Sequence, residues 1–143
     1  MRAIDEVKQV LAGFPSIAHT AEEDRIFVPA ANPNGFDVLL IEGERENTVY
    51  CEGWHDHFES TKETVGCFLW SLTPRYRLRV IRLGGRPFCW TLQSLDEGVW
   101  ASHGTTALIF VPFWRKWEIV YLQNVHIDPN WALAGSRDEA VHP

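Results

Sequence analysis

The sequence predicts an α+β domain: one strongly curved, mainly antiparallel sheet of about seven or eight strands, with two helices packed on one face. Three observations predict it. Two segments, one near the amino terminus and one before Pro74, carry apolar residues at helical spacing. Most of the remaining chain alternates apolar and polar residues, or runs apolar over a few positions, as strands do. The strand segments also follow one another at hairpin distance, without the helix between strands that a parallel sheet needs.

In order along the chain, Ile4, Val7, Val10 and Leu11 recur at helical spacing, with Asp5 and Glu6 in the first turn and Gly13 and Pro15 closing the segment. Thr20 to Arg25 reads as a polar connector. Ile26 to Val28 is a brief apolar run ended by Pro29 and the turn-rich AANPNG. Phe36 to Glu42 reads as a strand, and GEREN turns it back antiparallel into the strand from Asn47 to Gly53. By strict alternation Val49 and Cys51 point one way, and Tyr50, Glu52 and Trp54 the other.

The central helix has two candidate starts, because Asp56 with Glu59 and Ser60 with Glu63 both place a capping side chain three residues before a glutamate. The reading adopted is Asp56. Phe58, Thr61, Val65, Phe68, Leu69 and Leu72 then form one stripe, ended by Pro74. Gly66 and Trp70 flank the stripe, where a second surface can approach, and Cys67 lies opposite it, exposed or covered by a partner.

Beyond Pro74, Tyr76, Leu78 and Val80 alternate with Arg75, Arg77 and Arg79. Gly84 and Gly85 turn the chain into Pro87 to Leu95, with Phe88, Trp90 and Leu92 on one face and Cys89, Thr91 and Gln93 on the other. Asp96, Glu97 and Gly98 turn again into a short run from Val99 to Ser102. HGTT connects this to Ala107 to Val111, an apolar run suited to a doubly covered strand and ended by Pro112. Trp117 to Gln123 is the last strand. From about residue 125 the chain is an irregular tail whose composition favours fraying, with Trp131 expected to dock on the body or on a neighbour.

With 143 residues the chain fills one core and not two, so residues 1–143 read as a single domain. The formal charge of -6 disfavours nucleic acid and anionic membranes as partners. Charged residues interrupt the amino-terminal segment, and no apolar run approaches the ~20 residues of a membrane span, so a soluble cytoplasmic protein is expected. Three cysteines without a CxxC pair fit a reducing compartment. Seven tryptophans are unusual for this length and point to a filled core, an aromatic pocket or an interface.

No nucleophile elbow, P-loop, dinucleotide fingerprint or zinc-protease motif occurs. The candidate site residues are therefore Trp54, His55 and His57 at the junction before the central helix, Trp90 and Trp100 as walls, and Arg77 and Arg79 as anion contacts. His55 and His57 on an extended strand would share a face, roughly 7 Å apart. A zinc site would need further ligands, for which Cys89 and His103 are available, and no metal or cofactor is assigned. The arginine run either grips phosphate or carboxylate or is neutralised by acids between Glu42 and Glu52.

These residues favour a non-enzymatic binding domain with an aromatic cavity or face for a small aromatic, apolar or anionic ligand. The rival is a small enzyme, metal-assisted through His55 and His57 or acting on an anionic substrate held by Arg77 and Arg79. A symmetric homodimer is expected from Tyr50, Trp54, Trp70 and Trp131, which the sequence pattern leaves off the apolar faces.

Overall fold

The computed structural model describes residues 1–108 and 114–131. Within them are two helices, α1 (Ala3–Leu11) and α2 (Thr61–Trp70). Nine strands accompany them: β1 (Thr20–Ala21), β2 (Arg25–Val28), β3 (Val38–Glu42), β4 (Asn47–Cys51), β5 (Trp54–Phe58), β6 (Tyr76–Leu83), β7 (Arg86–Asp96), β8 (Val99–Ala107) and β9 (Trp117–Leu122). The α+β class, the antiparallel pairing and the two helices are as the sequence predicts. The described strands are divided between two sheets, ordered β1-β2-β3-β4-β5 and β8-β7-β6-β9.

The first sheet is a meander in which paired residues share a face. Ile26, Leu40 and Val49 line up across β2, β3 and β4, as do Val28, Val38 and Cys51, and all are buried under the helices. α1 enters this layer through Ile4, Val7 and Leu11. Its first turn is tied to the end of β3, where the Ile4 N–H donates to Glu42 Oε1 at 3.2 Å. α2 contributes Val65, Phe68 and Leu69 and is buried from Thr64 to Trp70. Leu78, Val80 and Leu92 from the second sheet belong to the same hydrophobic cluster, so one core joins both sheets and both helices.

Four local readings of the sequence are corrected: the start of the central helix, the face taken by Trp54, and the connectors at HGTT and at Thr20. The helix begins at Ser60, whose Oγ accepts the Glu63 N–H at 3.2 Å, and not at Asp56. Residues 54–58 instead form β5, hairpinned to β4 through Glu52 and Gly53, with Cys51 opposite Trp54. Glu52 adopts a left-handed φ of 53°. This two-residue turn resets the alternation, so Trp54 shares the buried face of Cys51 and is only 1% exposed. The connector HGTT is likewise strand, the middle of β8. Thr20 and Ala21, read as connector, form the short edge strand β1. The apolar run proposed from Ala107 to Val111 lies beyond Leu108 outside the described residues.

The sheets meet at β5 and β8. Among the described residues no backbone ladder joins them; instead the Trp54 indole Nε1–H donates to Gly104 O at 3.1 Å, and the His55 N–H to Thr106 Oγ1 at 3.3 Å. Beside this junction β8 has a register shift against β7 between Thr91 and Gln93, and Gly104 adopts φ 93°, features that bend and twist a strand. No helix among the described residues is long and apolar enough to cross a membrane.

Candidate functional site

A cavity of about 250 Å³ opens where β5, α2 and the second sheet converge. Alternation on β5 sends Trp54, Asp56 and Phe58 to it, since residues two apart share a face. One side of α2 adds Lys62, Glu63, Gly66 and Cys67. Tyr76 from β6, Leu92 from β7 and His103 from β8 complete the wall. The glycine in mid-helix, which costs about 1 kcal/mol relative to alanine, is part of this wall.

The walls are held by contacts made behind them. The Trp54 indole is fixed by its bond to Gly104. The His103 ring stacks on Tyr76 at 5.6 Å and 12°, and its Nε2 lies 2.5 Å from Ser94 Oγ. Burial pushes the Tyr76 phenol above its ordinary pKa, and partial burial lowers that of the His103 imidazole. Both shifts favour the uncharged ring. Asp56, Lys62 and Glu63 are exposed and supply the charges, two negative and one positive.

Of the seven candidate site residues, Trp54 alone lines this cavity; His103, considered in the sequence as a further zinc ligand, lines it as well. His55 and His57 do share a face, with ring centroids 5.5 Å apart, but it is the opposite face of β5, beside Tyr50. His57 Nδ1 lies 2.9 Å from Thr48 Oγ1 and 3.5 Å from Glu46 Oε1. Cys89 and His103 belong to the second sheet, and among the described residues no three His, Cys, Asp or Glu side chains gather as a metal site. Trp90 packs on the inner face of β7 against Gly53, where an added Cβ would collide with the indole. It supports the β4–β5 turn and does not line the cavity.

Arg77 and Trp100 are brought together. The Arg77 guanidinium lies between two rings, its Cζ 4.1 Å from the Trp100 centroid and 4.1 Å from that of Tyr121. Its Nε–H donates to Gln93 Oε1 at 2.7 Å. Arg79 is two residues along the same face of β6. The acids between Glu42 and Glu52, considered as neutralising partners, belong to the other sheet and its turns. Tyr76 and Leu92 were missed as site residues, and His103 was considered only as a zinc ligand, because their convergence depends on how two sheets meet.

The tryptophans from which a dimer was expected are covered within one chain. Trp131 packs on Trp70 at 6.3 Å and on Phe14 at 6.5 Å, and both indoles are buried. The docking of Trp131 on the body is as expected. The exposed large side chains lie elsewhere, with Trp117, Ile119 and Tyr121 on β9 about half exposed.

Burial raises the Cys51 thiol pKa to about 12 and pushes Cys67 well above the ordinary value, while Cys89 is only partly covered. Disulfide-exchange reagent at pH 8 is therefore expected to modify one thiol quickly, Cys89, and all three after unfolding without reductant. Three fast thiols in the folded protein would show that the core around Cys51 and Cys67 is open.

Comparison of the chain with protein-family models, with curated proteins and with solved structures finds no match in any of the three.

Proposed function

We propose that the protein is a binding domain that takes a small organic cation into the cavity between α2 and the two sheets, and that it performs no chemistry of its own. The observation that carries this reading is the cavity's lining. Trp54, Phe58, Tyr76 and His103 bring four aromatic rings to its wall, and two carboxylates against one lysine make the rim net negative. Aromatic faces attract cations by about 0.5–2 kcal/mol each, more when desolvated. Partial burial lowers the His103 pKa, which favours the neutral ring and so keeps a second positive charge from opposing the ligand. A cavity of about 250 Å³ is just below the ~300–1,000 Å³ of drug-sized sites, so the ligand is small. The free thiols support a reducing, cytoplasmic setting.

Titration with choline and with its uncharged tert-butyl analogue, read by calorimetry and tryptophan fluorescence, tests the proposal. Choline is expected to saturate at ~1 mM or below, and the analogue to bind about tenfold more weakly. Gly66→Leu should abolish both, and Glu63→Gln should weaken choline alone. Equal binding of the two probes would reject the preference for a cation. Saturation by neither would reject the cavity as a binding site.

A further inference from the structure

We infer that Arg77 and Arg79 form a two-arginine site for an oxyanion, a phosphate or carboxylate group, on the outer face of the four-stranded sheet. By alternation along β6 this face is opposite to that of Tyr76 and Leu78, so the site is separate from the cavity and does not depend on it.

Arg77 is built as a recognition group. Two rings at 4.1 Å hold its guanidinium flat, and Gln93 takes the Nε–H, while the Gln93 amide Nε2 donates to Ser102 Oγ at 3.3 Å. A guanidinium clamped in this way loses little further freedom when its terminal nitrogens grip an oxyanion in bidentate fashion.

Arg79 supplies the second point. Its Nε is buried without a hydrogen-bond partner, which is costly for a polar atom unless an acceptor arrives. Its Cα lies roughly 7 Å from that of Arg77, within reach of one phosphate or two neighbouring carboxylates. The Nε atoms of Arg75 and Arg82 are likewise without a partner, but the terminal nitrogens of those side chains are engaged, Arg82 Nη1 with Glu118 at 3.8 Å and Arg75 Nη2 with Leu95 O at 2.9 Å. Among the described residues no carboxylate pairs with Arg77 or Arg79.

Local charge favours the same ligand. From Arg75 to Leu122 seven Lys and Arg stand against three Asp and Glu, whereas the first 63 residues hold five against thirteen. The net charge of -6 therefore belongs to the helices and the first sheet, and the second sheet is basic.

Calorimetric titration of the full chain at low salt with inorganic phosphate, and separately with succinate, tests the site. At least one anion is expected to saturate, and the tighter of the two names the ligand's acid group. Arg77→Lys and Arg79→Gln should each weaken binding about tenfold, because lysine keeps the charge but neither stacks nor forks. Arg25→Gln, remote on the first sheet, should leave binding unchanged. Circular dichroism of each variant confirms that it is folded. Failure of both anions to saturate, an undiminished affinity in the Arg77→Lys, Arg79→Gln double variant, or an equal loss in Arg25→Gln would overturn the site.

Discussion

Replacing Phe68 with alanine is expected to destabilise the protein by about 3 to 5 kcal/mol, the range for deleting a buried aromatic side chain. Phe68 has no measurable exposure, and its helix is buried on every side from Thr64 to Trp70. α2 is the element that both layers share: it rests on β3, β4 and β5, touches α1, and lines the cavity shared with the second sheet. The surrounding side chains can relax only partly into the space vacated, so the cost exceeds simple transfer of the ring to water. Denaturant unfolding of the two proteins measures it. A difference below about 1 kcal/mol would place Phe68 outside the core.

Where the sequence was legible, one residue period ruled a segment. α1 shows its apolar face at Ile4, Val7 and Leu11, and β6 shows a clean alternation of Leu78 and Val80 with Arg77 and Arg79. The β3–β4 and β6–β7 hairpins follow from turn residues between alternating runs. β5 was not legible, for two reasons. Its sequence offers a helical alternative through Phe58, and Asp56 with Glu59 mimics the capping arrangement that Ser60 makes with the Glu63 N–H four residues further on. The turn at Glu52 and Gly53 also reverses which face Trp54 takes, and parity cannot be carried through it.

Legibility of the sites divides in the same way. That His55 and His57 share a face, and that Arg77 and Arg79 do, follows from local alternation. The cavity wall does not, because Trp54, Tyr76, Leu92 and His103 come from four strands of two sheets. Tyr121 reaches Arg77 only because β9 returns to the free edge of β6, a pairing between strands distant in sequence. Nothing local to either segment encodes that contact.

Asn124 offers the second large effect, and it lies beside the stretch where composition suggested a fraying tail. It is 2% exposed and joins three distant segments. Its Oδ1 accepts the Phe36 N–H at 3.0 Å, and its Nδ2 donates to Phe36 O at 3.0 Å and to Ser71 O at 3.1 Å. The side-chain amide therefore completes the backbone hydrogen bonding of the segment before β3 and of the end of α2, neither of which has a ladder partner at that point. The Ile127 N–H, donating to Leu72 O at 3.1 Å, continues the same dock. Asn124→Ala would strand one buried N–H and leave two carbonyls without this donor, each worth about 1–3 kcal/mol when unsatisfied in the core. The expected loss is about 3 kcal/mol, less than the full sum, since water entering the space restores some of the bonding. Two measurements check it together: denaturant unfolding, and hydrogen exchange at the Phe36 amide, which should lose protection beyond the global change in stability. A loss under about 1 kcal/mol with the Phe36 amide still protected would mean that residues after β9 are dispensable to the core, and that Trp131 lies on the body without holding it.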